Sequence, residues 1–298
     1  MKQVKVSIVV PAYNARATIA DCLRALEAQA LRDECEIIVV DSSTDGTAEL
    51  VTAEFPSVRL YTFSERRFPG SARNFAVSRA RGEIIAFTDA DCVAGPGWLS
   101  EIIEAHRGGA LVIGGAVENG SPDNYLGWVY YFCEFNQWLP GARRGSMGEI
   151  PTCCLSMKRT AFERYGPFLD GTYCSDTAFH WRLRRDGHQP LFLPDIKVAH
   201  QYREGLTSFL RHEVFHGRSF GRVRTSEQRL TRAQRALYAA RTLYLPLLQF
   251  YLTARRVVRC GFYLKEFVLL SPLIFLGIVA WSYGELRGYL PAPERQAR

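Results

Sequence analysis

The sequence predicts an α/β fold with a mostly parallel sheet flanked by helices. Through the first 110 residues, short apolar segments rich in β-branched residues alternate with longer helical patterns. Such uninterrupted apolar strands indicate a sheet that is buried on both faces. The composition, 47% hydrophobic and 22% charged over 298 residues, argues against a disordered or collagen-like chain and allows a large core.

The first half of the chain has the clearest alternation. Each predicted strand is a run such as KVSIVV or EIIVV that stops at a proline or a loop, and each predicted helix has an apolar face, as at Ile19, Cys22, Leu23 and Leu26. The predicted strands are 5–10, 36–40, 58–63 and 83–88, and the predicted helices are 17–30, 47–55 and 70–81.

The alternation weakens after about residue 110. We expect a strand at 111–117, an aromatic-rich segment at 124–139, a loop and a strand within 145–157, and a helix at 176–185 that ends at Gly187. Residues 189–199 predict a strand, a turn at Pro194 and Asp195, and a second strand. The predicted organisation is a nucleotide-sugar-binding half at 1–115, an acceptor-binding half at 116–230 and membrane-associated helices at 231–298.

The carboxyl-terminal third is basic and apolar. Residues 201–298 hold 16 of the 37 Lys and Arg residues but only 6 of the 30 Asp and Glu residues. Residues 267–284 form an uncharged run close to the length of a membrane span, whereas 236–254 contains Arg241 and Pro246. Because the basic stretch between them should stay cytoplasmic, we expect one interfacial or re-entrant helix followed by one span. A two-span hairpin and a pair of buried core helices are the alternatives.

The amino terminus and the cysteines give evidence on the cellular compartment of the protein. The basic start is followed by a brief apolar run without a small-residue cleavage site, which predicts a first strand rather than a signal peptide. The eight cysteines show no CxxC spacing, so reduced cytosolic thiols are favoured over a zinc site or a disulfide scaffold.

Acidic residues follow two predicted strands, where ligands bind in open parallel sheets. Asp41 follows EIIVV, and Asp89 and Asp91 follow EIIAFT. Two carboxylates that are two residues apart can serve a divalent cation and a ribose hydroxyl or metal-bound water, which suits a nucleoside diphosphate. The alternatives are a helix N-cap for Asp41 and a simple turn for the pair. Arg73 near a helix start could pair with Asp41 or a diphosphate, or be a solvated surface residue.

Three motifs in order carry a family resemblance. The segments VSIVVPAYNA, IIVVDSSTDGT and GSARNFAVSRARGEIIAFTDADC resemble the signatures of inverting family 2 glycosyltransferases of GT-A fold, closely from Val6 to Asp91 and loosely to Tyr202. The resemblance implies a nucleotide base at Asp41, a nucleotide sugar at Asp89 and Mg²⁺ or Mn²⁺ at Asp91. It places three further residues in the nucleotide-sugar-binding region: Pro11, Tyr13 and Arg73.

Two residues of the second half complete the implied site. In CSDTAFHWRLRRDGH the resemblance makes Asp176 the catalytic base, although Ser175 stands where the family usually has Glu. A helix N-terminus favours the ionised carboxylate, and a simple N-cap is the alternative. His200 in VAHQYREG is a candidate metal ligand or a structural histidine. In the basic RHEVFHGRSFGR, four residues could bind the diphosphate or a lipid phosphate, or form a solvated helix face: His212, His216, Arg218 and Arg222.

These observations predict a metal-dependent, membrane-associated transferase. It would move one sugar from a nucleoside diphosphate sugar to a lipid-linked or membrane-proximal acceptor with inversion, since a Gln-x-x-Arg-Trp signature of polymer synthases is absent. The expected location is a cell inner membrane with the catalytic domain on the cytoplasmic face. The alternatives are a catalytically silent membrane scaffold and a nucleotidyltransferase, which lacks support because PAYNARAT is not a Gly-rich phosphate loop. Nucleic acid is not an expected partner, because the basic residues flank apolar segments.

Overall fold

Nine strands form one mixed sheet in the computed structural model, which describes residues 4–291. The strands are Val6–Ala12 (β1), Cys35–Asp41 (β2), Arg59–Thr62 (β3), Ile84–Phe87 (β4), Cys92–Ala94 (β5), Val112–Asn119 (β6), Gly145–Ser146 (β7), Leu155–Lys158 (β8) and Leu191–His200 (β9). The helices are Ile19–Glu27 (α1), Thr47–Glu54 (α2), Pro69–Arg79 (α3), Trp98–Arg107 (α4), Tyr125–Glu134 (α5), Arg159–Tyr165 (α6), Ser175–Arg185 (α7), Leu206–Glu227 (α8), Arg232–Arg241 (α9), Leu245–Cys260 (α10) and Leu264–Tyr289 (α11).

The sheet is parallel where the sequence is most regular. Its strand order is β3-β2-β1-β4-β8-β6-β9-β5, with β7 also paired to β9. The strands β1 to β4 are mutually parallel, β6 and β9 are parallel to each other, and β8, β5 and β7 pair antiparallel to their neighbours. The carboxyl ends of β1, β2 and β4 therefore lie along one edge of the sheet.

The apolar segments that predicted the strands are the core. Nearly every side chain of β1 and β2 is buried, as expected for strands covered on both faces. In α1, the predicted apolar face of Ile19, Cys22, Leu23 and Leu26 is fully buried.

The structure departs from the sequence predictions in several places. Residues 189–199 form one strand, β9, instead of a strand, a turn and a strand, because Gly115 pairs with Leu193 and the next residue pairs with Lys197. Pro194 and its two successors form a bulge that keeps both parts of β9 on β6. The predicted continuous segment 236–254 is divided into α9 and α10, with Pro246 in the first turn of α10. The sequence reasoning also missed β5 and α4.

The helix α11 contains the predicted span. Within the described part of the chain it is the one helix long and apolar enough to cross a membrane by length and composition, and 33% of its apolar window is buried against the protein. Pro272 lies inside it.

Four glycines bring α8 and α11 into direct backbone contact. Gly217 and Gly221 are one turn apart on α8, as are Gly284 and Gly288 on α11. A Cβ atom on Gly284 would lie 2.1 Å from a backbone oxygen of α8, and one on Gly217 would lie 2.0 Å from a backbone oxygen of α11. Such small-residue crossings allow helices to approach closely, so α11 is a packed part of the fold.

Candidate functional site

A cavity of about 540 Å³ opens at the carboxyl ends of β1, β4 and β9. We call it the strand-end cavity. It collects most of the predicted nucleotide-sugar and metal residues from separate elements: Pro11, Tyr13, Arg73, Asp89, Asp91 and His200. The parallel strands bring these residues together because they all end at the same edge of the sheet.

Asp91 and His200 form the predicted metal-ligand pair. The His200 Nε2 atom lies 3.4 Å from Asp91 Oδ1, and the Cys92 thiol is close enough to join the same group of ligand atoms. Antiparallel pairing of β5 with β9 places Cys92 opposite His200, and the Gln201 amide donates to the Asp91 carbonyl at 2.8 Å. A carboxylate and an imidazole at this spacing are suitable ligands for a divalent cation such as Mn²⁺.

The electrostatics of Asp91 reflect its surroundings. Burial raises the pKa of its carboxyl group, the His200 imidazole lowers that pKa, and the Asp89 carboxylate raises it. A bound divalent cation would favour the ionised carboxylate in the same place.

Asp89 is held by Arg73. The Arg73 guanidinium is buried at the start of α3 and donates from Nη2 to Asp89 Oδ1 at 2.5 Å. The sequence offered Asp41 or a diphosphate as the partner of Arg73, but the structure pairs it with Asp89, which the sequence analysis did not anticipate. Arg73 is buried, so the solvated surface alternative is wrong. The Nε atom of Arg73 is buried without a hydrogen-bond acceptor among the described residues, so one donor is left at the cavity wall.

Asp41 ends β2 beside the cavity and does not line it. It lies opposite Ala12 in the β1–β2 pair, is buried, and accepts hydrogen bonds from the Ser43 amide and hydroxyl. Burial raises the pKa of Asp41 while the bonds from Ser43 lower it. At the N-terminus of α2, the Thr47 amide donates its hydrogen bond to the Asp45 carboxylate. Asp41 is therefore not the N-cap of α2.

The sequence reasoning missed two arginines at the same cavity. Arg66 stacks on the ring of Tyr13 with 4.3 Å between guanidinium carbon and ring centroid, and Arg67 lies 3.6 Å from the centroid of Phe63. Both arginines line the strand-end cavity. Their signal in the sequence was the pair Arg66-Arg67 directly before α3.

Asp176 lies at the N-terminus of α7 and lines a second cavity of about 390 Å³. We call this the helix-side cavity, because α5, α7, α8, α10 and α11 contribute to its wall. Cys174 enters α7 with a left-handed backbone, and Ser175, in place of the usual acidic residue, is buried against Gly70 of α3. Asp176 accepts a hydrogen bond from the adjacent Thr177 amide. It lies inside the first turn of α7, so the N-cap alternative is wrong.

A cluster of two histidines and two glutamates separates the two cavities. His216 Nδ1 lies 3.0 Å from Glu134 Oε1, and His212 Nε2 lies 3.9 Å from the same atom. His212 lines the strand-end cavity, whereas Glu134, Glu213 and His216 line the helix-side cavity. The two histidines are therefore not part of a solvated helix face.

The charged groups of this cluster shift one another's pKa values. Burial raises the pKa of Glu134, but His216 and His212 outweigh it and hold that pKa at about 2. Burial and the neighbouring Glu134 carboxylate raise the pKa of Glu213 well above its ordinary value. The sequence reasoning had found His212 and His216 but missed Glu134, which lies about 80 residues earlier in the aromatic-rich segment.

A third cavity, of about 830 Å³, adjoins the helix-side cavity and shares Glu149, Thr177 and Arg256 with it. We call it the arginine cavity. Five arginines line it: Arg143, Arg184, Arg224, Arg256 and Arg259.

Comparison with known proteins gives sequence relatives of one kind. The family model described as glycosyl transferase family 2 matches residues 7–166. Glycosyltransferase AglE of Haloferax volcanii is 27% identical over 206 residues, which cover 66% of this chain and 67% of that protein. Glycosyltransferase YfnE of Bacillus subtilis is 35% identical over 188 residues, which cover 59% of this chain but only 44% of YfnE. The succinoglycan biosynthesis protein ExoO of Rhizobium meliloti is 42% identical over 120 residues, which cover 38% of this chain and 32% of ExoO.

Solved structures resemble the whole chain. Mannosyltransferase PcManGT from Pyrobaculum calidifontis, solved with GDP-Man and Mn²⁺, matches with a TM-score of 0.62 at 20% identity over 96% of this chain and 88% of that one. Residues 1–349 of S. aureus TarS, solved with UDP-GlcNAc, match with a TM-score of 0.58 at 15% identity over 95% of this chain and 90% of that one. These likenesses confirm the predicted α/β fold with its mostly parallel sheet.

Proposed function

The chain belongs to glycosyl transferase family 2, and from that premise we propose that it transfers a single sugar from a nucleoside diphosphate sugar to a lipid-linked or membrane-proximal acceptor with inversion. The observation that carries the proposal is the strand-end cavity, where Asp89, Asp91, Arg73 and His200 meet at the sheet edge. The presence of GDP-Man in PcManGT and of UDP-GlcNAc in TarS supports a nucleotide-sugar donor.

The donor diphosphate would lie between Asp91, His200 and the arginines of the strand-end cavity. Asp91 and His200 would hold Mg²⁺ or Mn²⁺, which when bound neutralises the charge that grows on a departing diphosphate. Arg73 fixes the Asp89 carboxylate toward the cavity, where Asp89 can accept hydrogen bonds from sugar or ribose hydroxyls. Pro11 and Tyr13 line the same cavity, and the Tyr13 ring, which has Arg66 over one face, would stack on the base with the other.

Asp176 would act as the base on the acceptor side. The acceptor oxygen forms a bond to the anomeric carbon as the bond from that carbon to the diphosphate oxygen breaks, and the electron pair leaves with the diphosphate. The acceptor proton passes to the Asp176 carboxylate. Attack from the face opposite the departing diphosphate inverts the anomeric centre, which agrees with a donor and a base in separate, neighbouring cavities.

The carboxyl-terminal helices support a membrane-proximal acceptor. Apolar side chains stay exposed along α10 and α11, for example Leu247 at 67%, Tyr251 at 60% and Leu269 at 73%. A helix that is long enough to span a bilayer is packed on the catalytic domain. We place the domain at the cytoplasmic face of an inner membrane, because Arg255, Arg259 and Lys265 flank the apolar segments.

The first experiment is a donor screen on the full chain purified in detergent. Binding and slow hydrolysis of UDP-, GDP- and dTDP-sugars are measured with Mn²⁺ or with EDTA, for the wild type and for Asp91→Ala. We expect one donor to be hydrolysed in a metal-dependent manner, and the variant to lose that hydrolysis. Folded wild-type protein that binds no donor under any condition would refute the proposal.

A further inference from the structure

The arginine cavity has an excess of positive charge that the proposed chemistry leaves unused. Of its five arginines, Arg224 is neutralised, since its Nη1 lies 2.9 Å from Glu285 Oε1. Arg256 donates to the amide oxygen of Asn136 at 2.6 Å, which neutralises nothing. Among residues 4–291, no carboxylate lies within ion-pair distance of the other three arginines, Arg143, Arg184 and Arg259.

One carboxyl group, Glu149, lines the same cavity among the described residues. Burial and the nearby Asp176 carboxylate raise the pKa of Glu149, whereas Thr177 and Arg184 lower it. This one carboxyl group faces five arginines, of which Arg224 is already paired with Glu285. Several unneutralised guanidinium groups around one space are suited to a phosphate group, which they can bind with paired N–H donors.

The space next to the arginine cavity is apolar on one side. In the helix-side cavity, Leu245, Leu248 and Leu252 of α10 face Ile278 and Trp281 of α11. On its outer side α10 exposes further apolar residues. A ligand that joins a phosphate to a long apolar chain could therefore place the phosphate among the arginines and the chain against α10.

The base lies between these two features. Thr177 and Glu149 belong to the walls of both cavities, and Asp176 precedes Thr177 at the start of α7. An acceptor whose phosphate lies in the arginine cavity would have its sugar next to the helix-side cavity, whose wall includes Asp176.

We propose, resting on the proposed function, that the acceptor is a sugar carried on a membrane lipid phosphate or diphosphate, and that the arginine cavity binds this phosphate while α10 and α11 bind the lipid chain. The charge of Arg143, Arg184, Arg256 and Arg259 selects the anion. The apolar wall of the helix-side cavity selects a lipid phosphate over free phosphate.

The test is a binding measurement by isothermal titration calorimetry on the full chain in detergent, with no donor and no metal. The probes are farnesyl diphosphate, inorganic diphosphate and farnesol. We expect the wild type to bind farnesyl diphosphate at least about tenfold more tightly than either of the other two probes, a difference of about 1.4 kcal/mol. Equal binding of inorganic diphosphate would show a free-phosphate site, and equal binding of farnesol would show an apolar groove, and either result would overturn the proposal.

Charge reversal assigns the binding to the cavity. Arg143→Glu with Arg259→Glu should weaken farnesyl diphosphate at least about tenfold, and the milder Gln pair should weaken it less. The matched control is Arg229→Glu with Arg232→Glu, which changes the net charge equally at exposed positions outside the cavity and should stay within about twofold of the wild type. Equal losses in the two Glu pairs would overturn the proposal. Thermal unfolding of each variant shows whether it is folded. If the Glu pair does not fold, the affinity of the Gln pair for farnesyl diphosphate decides the outcome.

The result is separable from the proposed function. Metal-dependent donor hydrolysis by the wild type tests the transferase, and farnesyl diphosphate binding without donor tests the acceptor site. A protein that hydrolyses a donor but binds no farnesyl diphosphate would keep the first conclusion and overturn the second.

Discussion

The strand-end cavity and the arginine cavity offer two different surfaces for phosphate groups. In the first, carboxylates of Asp89 and Asp91 stand among the basic residues, and the buried Arg73 is already paired with Asp89. In the second, arginines outnumber the single carboxyl group of Glu149. Under the two proposals, a diphosphate in the strand-end cavity would need a cation beside Asp91, whereas one in the arginine cavity would need none. The proposed leaving phosphate would then be the one among carboxylates, and the phosphate that is only held would be the one among arginines.

The largest effect should come from the proposed base, Asp176. Asp176→Asn removes the proton acceptor, so we expect transfer to a membrane lipid extract to fall by about 10²- to 10⁴-fold. Donor binding should change little, because Asp176 does not line the strand-end cavity. Transfer is measured as acceptor-dependent consumption of the donor found in the screen. Asp186→Asn, at the other end of α7, is the matched control, and a comparable loss there would contradict the assignment.

The next largest effect should come from metal removal, which should weaken donor binding in the strand-end cavity but not lipid phosphate binding in the arginine cavity. With EDTA, or in His200→Ala, we expect donor affinity to fall by about 10- to 100-fold, because the diphosphate then faces the Asp91 carboxylate without a bridging cation. Binding of farnesyl diphosphate should not change. Calorimetry with each ligand, with and without Mn²⁺, measures both. Asp123→Asn, in an exposed loop, is the control. Metal-independent donor binding would remove the distinction between the cavities.

A smaller effect should follow from separating α8 and α11. Gly284→Ala places a methyl group 2.1 Å from a backbone oxygen, so the helices must move apart, at a cost of about 1–3 kcal/mol in the free energy of unfolding. The control is Gly205→Ala, whose new methyl group would have no atom within 4 Å. Chemical unfolding in detergent compares the two. Equal stability would show that the helices are not in backbone contact.

A last effect concerns pH and distinguishes the region around α4 from the region around α8. His106 on α4 lies 3.0 Å from both the Ala110 carbonyl oxygen and the Ser156 hydroxyl, and burial lowers its pKa from 6.5 to about 4. The unfolded chain therefore binds more protons in this range, and stability should fall as pH falls from 6.5 to about 4, by at most about 1.4 kcal/mol per pH unit.

Around His216 on α8, the free energy of unfolding should depend on pH in the opposite direction. The pKa of His216 is raised above 6.5, since Cys174 and Glu134 outweigh the effect of burial, so its contribution is present below pH 6.5 and is lost as pH rises through its native pKa. Unfolding curves between pH 4 and 8 measure both trends. His106→Gln should flatten the acid side alone; an unchanged acid slope in His106→Gln would contradict this account.

The strand-end cavity was predictable because its signals are local. Asp89 and Asp91 directly follow a strand whose apolar run is unmistakable, and strand ends in a parallel sheet meet at one edge. His200 was found in the same way, since it is the last residue of β9.

The helix-side and arginine cavities depend on packing between distant segments. Glu134 meets His216 across 82 residues, and Arg256 meets Asn136 across 120 residues, and neither pair has a spacing that a sequence pattern could show. The single strand β9 was missed because Pro194 predicts a turn, while the parallel partner β6 accommodates it as a bulge.

Under the proposed function, the backbone contact between α8 and α11 would limit how long the acceptor can be. α11 has 26 residues and is therefore about 39 Å long. Its partner α8 carries His212 and His216 in the walls of the reaction cavities. Under the proposed function, the close packing of α8 on α11 would hold Asp176 at a set height above a bilayer that α11 enters. Acceptor head groups much shorter or longer than that height would then be poor substrates.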